Sequence, residues 1–132
     1  MRPPLAPLRP LLVASLLLSP LALPGRAEAA PATREDMTLY TRIAAINVCI
    51  SRAAKVDFDT AVSIAGETIA QVLKGQHQGQ IAQVGTQELS IDELRKGSIN
   101  SAVIGAVDIC PDEVPAEVKT KVQEAIQNNG GG

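Results

Sequence analysis

The 132-residue sequence predicts an all-α fold, a small bundle of four or five short helices closed by one disulfide. Three observations lead there. Apolar residues recur at three- and four-residue spacings along four stretches, the period of an amphipathic helix. Each stretch is preceded by a residue suited to a helix start. Two cysteines, Cys49 and Cys110, form the only possible intramolecular pair.

The first 29 residues read as an export signal. Met1 to Arg9 carries two arginines and no acid, Leu11 to Leu23 is almost wholly apolar, and Ala27-Glu28-Ala29 has the small-x-small form that a signal peptidase cuts after. The apolar run is short of the roughly 20 residues that a membrane span needs, and Ser15, Ser19 and Pro20 interrupt it. Residues 30–132 are then a single helical domain with a frayed, Gly-rich C-terminal end, exported to a periplasm, a thylakoid lumen or the extracellular space. An exported chain meets oxidising conditions, so a Cys49–Cys110 disulfide is expected. A redox or nucleophilic cysteine would want a neighbouring base or a CxxC pair, and the sequence offers neither.

The first helix opens at Thr33, three residues before Asp36, as a capping box with Asp in place of Glu. Leu39, Ile43, Ile46 and Ile50 follow at spacings of four, three and four, giving one apolar stripe bordered by Cys49. The second opens at Asp57, continues through Phe58, Val62, Ala65, Ile69 and Val72, and is expected to close at Gly75. From Gln76 to Gln87 the pattern gives way to Gln and Gly, which reads as a polar loop with a short extended stretch around Ile81 to Val84. Loops of that length inside a small domain are either functional or mobile. Gln76, His77, Gln78, Gln80 and Gln83 are therefore the candidate partner-binding residues.

The third helix has the clearest start. Ser90 and Glu93 form a capping box, and Leu89 with Leu94 a hydrophobic staple. Gly97-Ser98 is a candidate break, with Ser98 capping a new start. Residues 99–109 are dense in Val, Ile and Ala; their length favours a buried helix, and their β-branching makes a strand the competing reading. Pro111 ends the run, and Pro115 suits the first turn of a fourth helix with Val114, Val118, Val122 and Ile126 on one face.

Composition excludes several functions. Tyr40 and Phe58 are the only aromatic rings, so no stacking platform for bases or sugars exists. Beyond the signal, nine Lys/Arg stand against thirteen Asp/Glu, a net charge near −4 with no basic block, which argues against nucleic acid. His77 is the sole histidine and reads as a solvated loop residue; with no second His or free Cys, no metal site is expected. Asp57 and Asp59, like Asp112 and Glu113, are explained by helix-start electrostatics rather than as acid/base pairs. No serine triad, GxGxxG or phosphate-binding loop occurs. No catalytic residue, cofactor or metal is expected.

Two resemblances bear on function. The segments Val56-Asp57-Phe58-Asp59, Ala70-Gln71-Val72-Leu73-Lys74-Gly75-Gln76-His77 and Cys110-Pro111-Asp112-Glu113-Val114-Pro115, with one Cys in the first helix, make the stretch from Leu39 to Ile126 similar to a family of short secreted proteins of marine cyanobacteria. Some of these carry the label cyclic-AMP phosphodiesterase. That label implies an HxHxDH metal cluster, which a chain with His77 alone does not contain. More distantly, the layout of one disulfide tying an early helix to a later one resembles the HdeA-type periplasmic acid-stress chaperones. That likeness implies loss of structure and exposure of apolar surface in acid. The expectation is a small, exported, non-catalytic interaction protein with a protein partner or client, with an HdeA-like chaperone as the alternative and a phosphodiesterase as the label-based third reading.

Overall fold

Four α-helices account for most of the domain in the computed structural model, which describes residues 29–85 and 87–129: α1 (Arg34–Ala53), α2 (Phe58–His77), α3 (Ile91–Ile109) and α4 (Ala116–Asn129). The proposed signal, up to residue 28, and the glycines 130–132 lie outside the described residues. Short 3-10 turns at Ala82–Val84 and Pro111–Glu113 complete the connections. The sole β-type pairing among the described residues is one parallel bridge between Ala32 and Ile81.

The helix starts are built as their sequences dictate. Thr33 and Ser90 each accept the backbone N–H three residues on, while Asp36 and Glu93 reach back to the N–H of the capping residue. Asp57 accepts from the Thr60 N–H and caps α2. Pro115 precedes α4, where a missing N–H costs nothing.

Three boundaries differ from expectation. α2 does not stop at Gly75; it runs to His77 and is ended by Gln78, which adopts the left-handed conformation at φ 52° and donates its N–H to the Leu73 carbonyl. Gly79, at φ 74°, continues the turn, so the reversal falls three to four residues after the first glycine. α3 passes through Gly97-Ser98 without the expected break, while residues 99–109 form the helix that their length favoured over a strand. Asn128 and Asn129 belong to α4.

α1, α2 and α3 pack against one another, and α4 lies mainly on α3. The core is made of small and medium side chains, among them Ala44, Val48, Ala65, Ile69, Leu73, Leu94, Ala102 and Ala106. Small residues let the backbones approach closely: a Cβ at Gly66 would lie 2.9 Å from the Ile99 nitrogen, and one at Gly105 would lie 2.7 Å from the Ala45 Cβ. Cys49 in α1 is bonded to Cys110 at the end of α3, with Cα atoms 5.9 Å apart. Beside it the Arg52 guanidinium donates to the Val56 carbonyl at 2.8 Å and the Glu113 carbonyl at 3.0 Å. That side chain ties the α1–α2 turn to the segment after α3, and no sequence pattern announces it.

Candidate functional site

α1 carries two apolar faces. Ala44, Ala45 and Val48 are buried in the bundle. At 3.6 residues per turn, Leu39, Ile43, Ile46 and Ile50 point to roughly the opposite side. They are exposed, at 55, 41, 39 and 62%. The apolar stripe that spacing picks out is thus the outward side of the helix. Burial goes to the small face because α1 approaches Gly105 of α3 at Ala45, where a large side chain has no room. The outward stripe leaves the equivalent of about two whole apolar side chains in water along three turns of helix, a contiguous feature of the kind that marks contact surfaces.

The Gln/Gly segment is less of a loop than its composition suggests. Gln76 and His77 are the last residues of α2. His77 is half-buried: its Nδ1 lies 2.9 Å from the Ala30 carbonyl and its Nε2 2.9 Å from the Tyr40 hydroxyl. A carbonyl only accepts, so Nδ1 carries a proton, and in the neutral ring Nε2 then accepts from the tyrosine. His77 therefore joins α1, α2 and the entering chain, and the reading of it as a solvated loop residue is corrected. The Gln80 carbonyl accepts from the Ala32 N–H at 2.9 Å, the Ala32 carbonyl accepts from Ala82 at 3.0 Å, and Gly79 accepts from Leu89 at 3.0 Å. Gln76, Gln78 and Gln83 remain exposed.

Gln83 has a second role. With Val84 it forms one wall of a cavity of about 530 Å³ between α1, α2 and α3. The lining is chiefly aliphatic, including Met37, Ile69, Leu73, Ile81, Leu89 and Leu94, with Ser98 among it. The Ser98 hydroxyl is buried and has no hydrogen-bond partner. A helical serine usually returns its proton to the carbonyl four residues back. Here the group is left unsatisfied in a line of buried α3 residues that otherwise reads Leu94, Ala102, Ala106. Ser98 had looked like a break or cap from sequence; nothing in its neighbours distinguishes a capping serine from a buried one.

The polar groups that depart from ordinary titration are structural. Donation from the Thr33 N–H and hydroxyl holds the Asp36 carboxyl below its usual range. Asp57 is lowered by the hydrogen bonds from Thr60, and Glu93 by those from the Ser90 N–H and hydroxyl. Glu67 is lowered by the Arg95 guanidinium, then by Gln71, in an exposed pair linking α2 to α3. Among the described residues no three His, Cys, Asp or Glu side chains cluster in a way that would hold a metal ion.

A family model described as a domain of unknown function, DUF8650, matches residues 35–132. The chain belongs to that family. The DUF8650 match begins in the first turn of α1 and takes in all four helices, both cysteines, the outward α1 face and every residue of the cavity wall except Arg34. No curated protein and no solved structure matches the chain. The DUF8650 domain described here is thus a four-helix, disulfide-linked unit with no described helix long and apolar enough to cross a membrane.

Proposed function

We propose that this DUF8650 protein is an exported, non-catalytic interaction module whose α1 presents its outward stripe to an amphipathic helix of a protein partner. The carrying observation is the exposure of Leu39, Ile43, Ile46 and Ile50 on a helix whose other side is already buried. Their 4-3-4 spacing is that of the apolar seam between two packed helices. Arg42 and Glu35 are also exposed on this helix and carry opposite charges, which suits a protein surface better than an anionic lipid layer. The disulfide supports an oxidising compartment, and with the N-terminal pattern it supports export to a periplasm or equivalent space. The Gln/Gly turn remains a candidate rim of the contact through Gln76, Gln78 and Gln83.

The test is site-specific photocrosslinking in the host. A photoreactive residue in place of Ile46 should trap a discrete protein adduct, whereas one in place of Ser63, exposed on α2, should not. Ile43→Lys combined with Ile50→Lys should abolish the adduct. Equal crosslinking from positions 46 and 63, or none from 46, would sink the assignment.

A second reading, an HdeA-like acid chaperone, is favoured by one specific feature. Three of the four helix starts use a carboxylate, Asp36 and Glu93 reaching back within capping boxes and Asp57 as the cap itself, and their charge-assisted hydrogen bonds weaken on protonation. Acid would loosen the starts of α1, α2 and α3 together. Suppression of client aggregation near pH 2 to 3, followed by light scattering, would support it; an intact tertiary structure in acid would count against it. The cyclic-nucleotide phosphodiesterase reading draws no support from these residues.

A further inference from the structure

We propose that residues 30–32 form a clasp that sets the order of maturation. An endopeptidase cuts the Ala29–Ala30 bond before the clasp closes, and the folded chain no longer presents that bond. The proposal rests on the export reading above, in which Ala27-Glu28-Ala29 precedes the cut.

The clasp is made of three hydrogen bonds and one buried methyl group. Ala32 has no exposed surface and belongs to the core. Its N–H donates to the Gln80 carbonyl and its carbonyl accepts from Ala82, which together make the parallel bridge to Ile81. The Ala30 carbonyl accepts from His77 Nδ1 at 2.9 Å. The imidazole reaches it from the last turn of α2, with Nε2 placed 2.9 Å from the Tyr40 hydroxyl. Tyr40 is thus a positioning residue for the donor.

An extended peptide is gripped through its main-chain groups, and an endopeptidase needs them on both sides of the bond it cuts. Downstream of Ala29–Ala30 these groups are already committed in the folded domain. Where a free linker follows a cleavage site, cutting and folding are independent. Here only Ala30 and Pro31 separate the bond from a fully buried residue. The cut therefore requires the clasp to open, and its rate follows the fraction of molecules in which residues 30–32 have come away. In the growing chain the bond is accessible, because His77 and Ile81 are made long after Ala30. The cut adds water across the Ala29–Ala30 amide, leaving a carboxylate on Ala29 and an ammonium on Ala30. The Ala30 carbonyl and both groups of Ala32 survive that reaction, so the clasp then holds the new chain end.

The test uses the full-length, oxidised protein and signal peptidase in detergent micelles, with products read by intact mass. A synthetic peptide of residues 20–36 supplies the same junction without its clasp. The peptide should be cut between residues 29 and 30, and the folded protein roughly tenfold more slowly or less. His77→Ala should be cut about fivefold faster than the folded parent, the value of one hydrogen bond, with amide exchange at Ala32 quickened alike. Tyr40→Phe, which leaves the donor in place but unpositioned, should act in the same direction by a smaller factor. Gly66→Ala, which weakens the bundle away from the clasp, should leave the rate unchanged and so separates local opening from general instability. Circular dichroism should show every variant folded. A protein cut as fast as the peptide, a rate unaltered in both His77→Ala and Tyr40→Phe, or equal acceleration by Gly66→Ala would overturn the clasp and leave the export reading standing. No cut at residues 29–30 in either substrate would overturn both.

Discussion

Gly66 and Ile99 show how single positions hold the helices at their separation. A methyl group at position 66 would run into the Ile99 side chain and its backbone nitrogen, which belongs to a helix and cannot move alone. Gly66→Ala should therefore cost about 1 to 3 kcal/mol in urea denaturation. Gly75→Ala, in the same helix with open space around it, should raise stability by up to about 1 kcal/mol, since glycine is the poorer helix former. At this scale the sequence was partly legible. The capping residues Thr33, Asp57 and Ser90 could be read from local spacing because their partners lie three residues away. Ser98 and His77 could not, because what defines them comes from other elements: the cavity wall in one case, Tyr40 and the Ala30 carbonyl in the other.

The helices answer to pH through their caps. In the folded protein the carboxyls of Asp36, Asp57 and Glu93 titrate below their ordinary range because nearby N–H and hydroxyl groups donate to the charged form. A carboxyl lowered on folding contributes stability that is complete above its unfolded pKa, near 4, and is lost as pH falls through the lower native value. The melting temperature should accordingly hold level down to about pH 5 and drop progressively below about pH 4. Thr33→Ala and Ser90→Ala should lower the plateau and flatten the drop, as read by thermal melts across that window. Helix existence was legible because period and capping agree. Which side of α1 faces inward was not: periodicity found a genuine apolar stripe, but the choice between an Ile face and an Ala face depends on how near α3 comes. The end of α2 was misplaced for a related reason, since Gln78 takes the left-handed turn that Gly75 could have taken.

For the molecule as a whole, the disulfide divides what is constrained from what is not. Cys49 and Cys110 are 61 residues apart, and closing a loop of that length stabilises the fold by about 4 kcal/mol on the chain-entropy model. Cys49→Ala with Cys110→Ala should lower unfolding free energy by about that much in denaturant titrations. α4 lies beyond the closed loop, and Val122 is its only buried residue. Its amides should exchange with deuterium well before those of α2 and α3. The all-α class and the disulfide were legible because composition, length and cysteine count all limit the same outcome. The cavity was not, because its walls are assembled from four separate stretches of chain.

The bond also has a consequence for wear. Val84 and Gly85 are exposed in the connection between α2 and α3, the place where an outside protease would first reach the backbone. A cut there separates Cys49 and Cys110 onto different fragments that remain bonded to each other. The product is a two-chain molecule that keeps α1 and α2 beside α3 and α4, and it falls into covalently separate pieces only when a reductant is supplied.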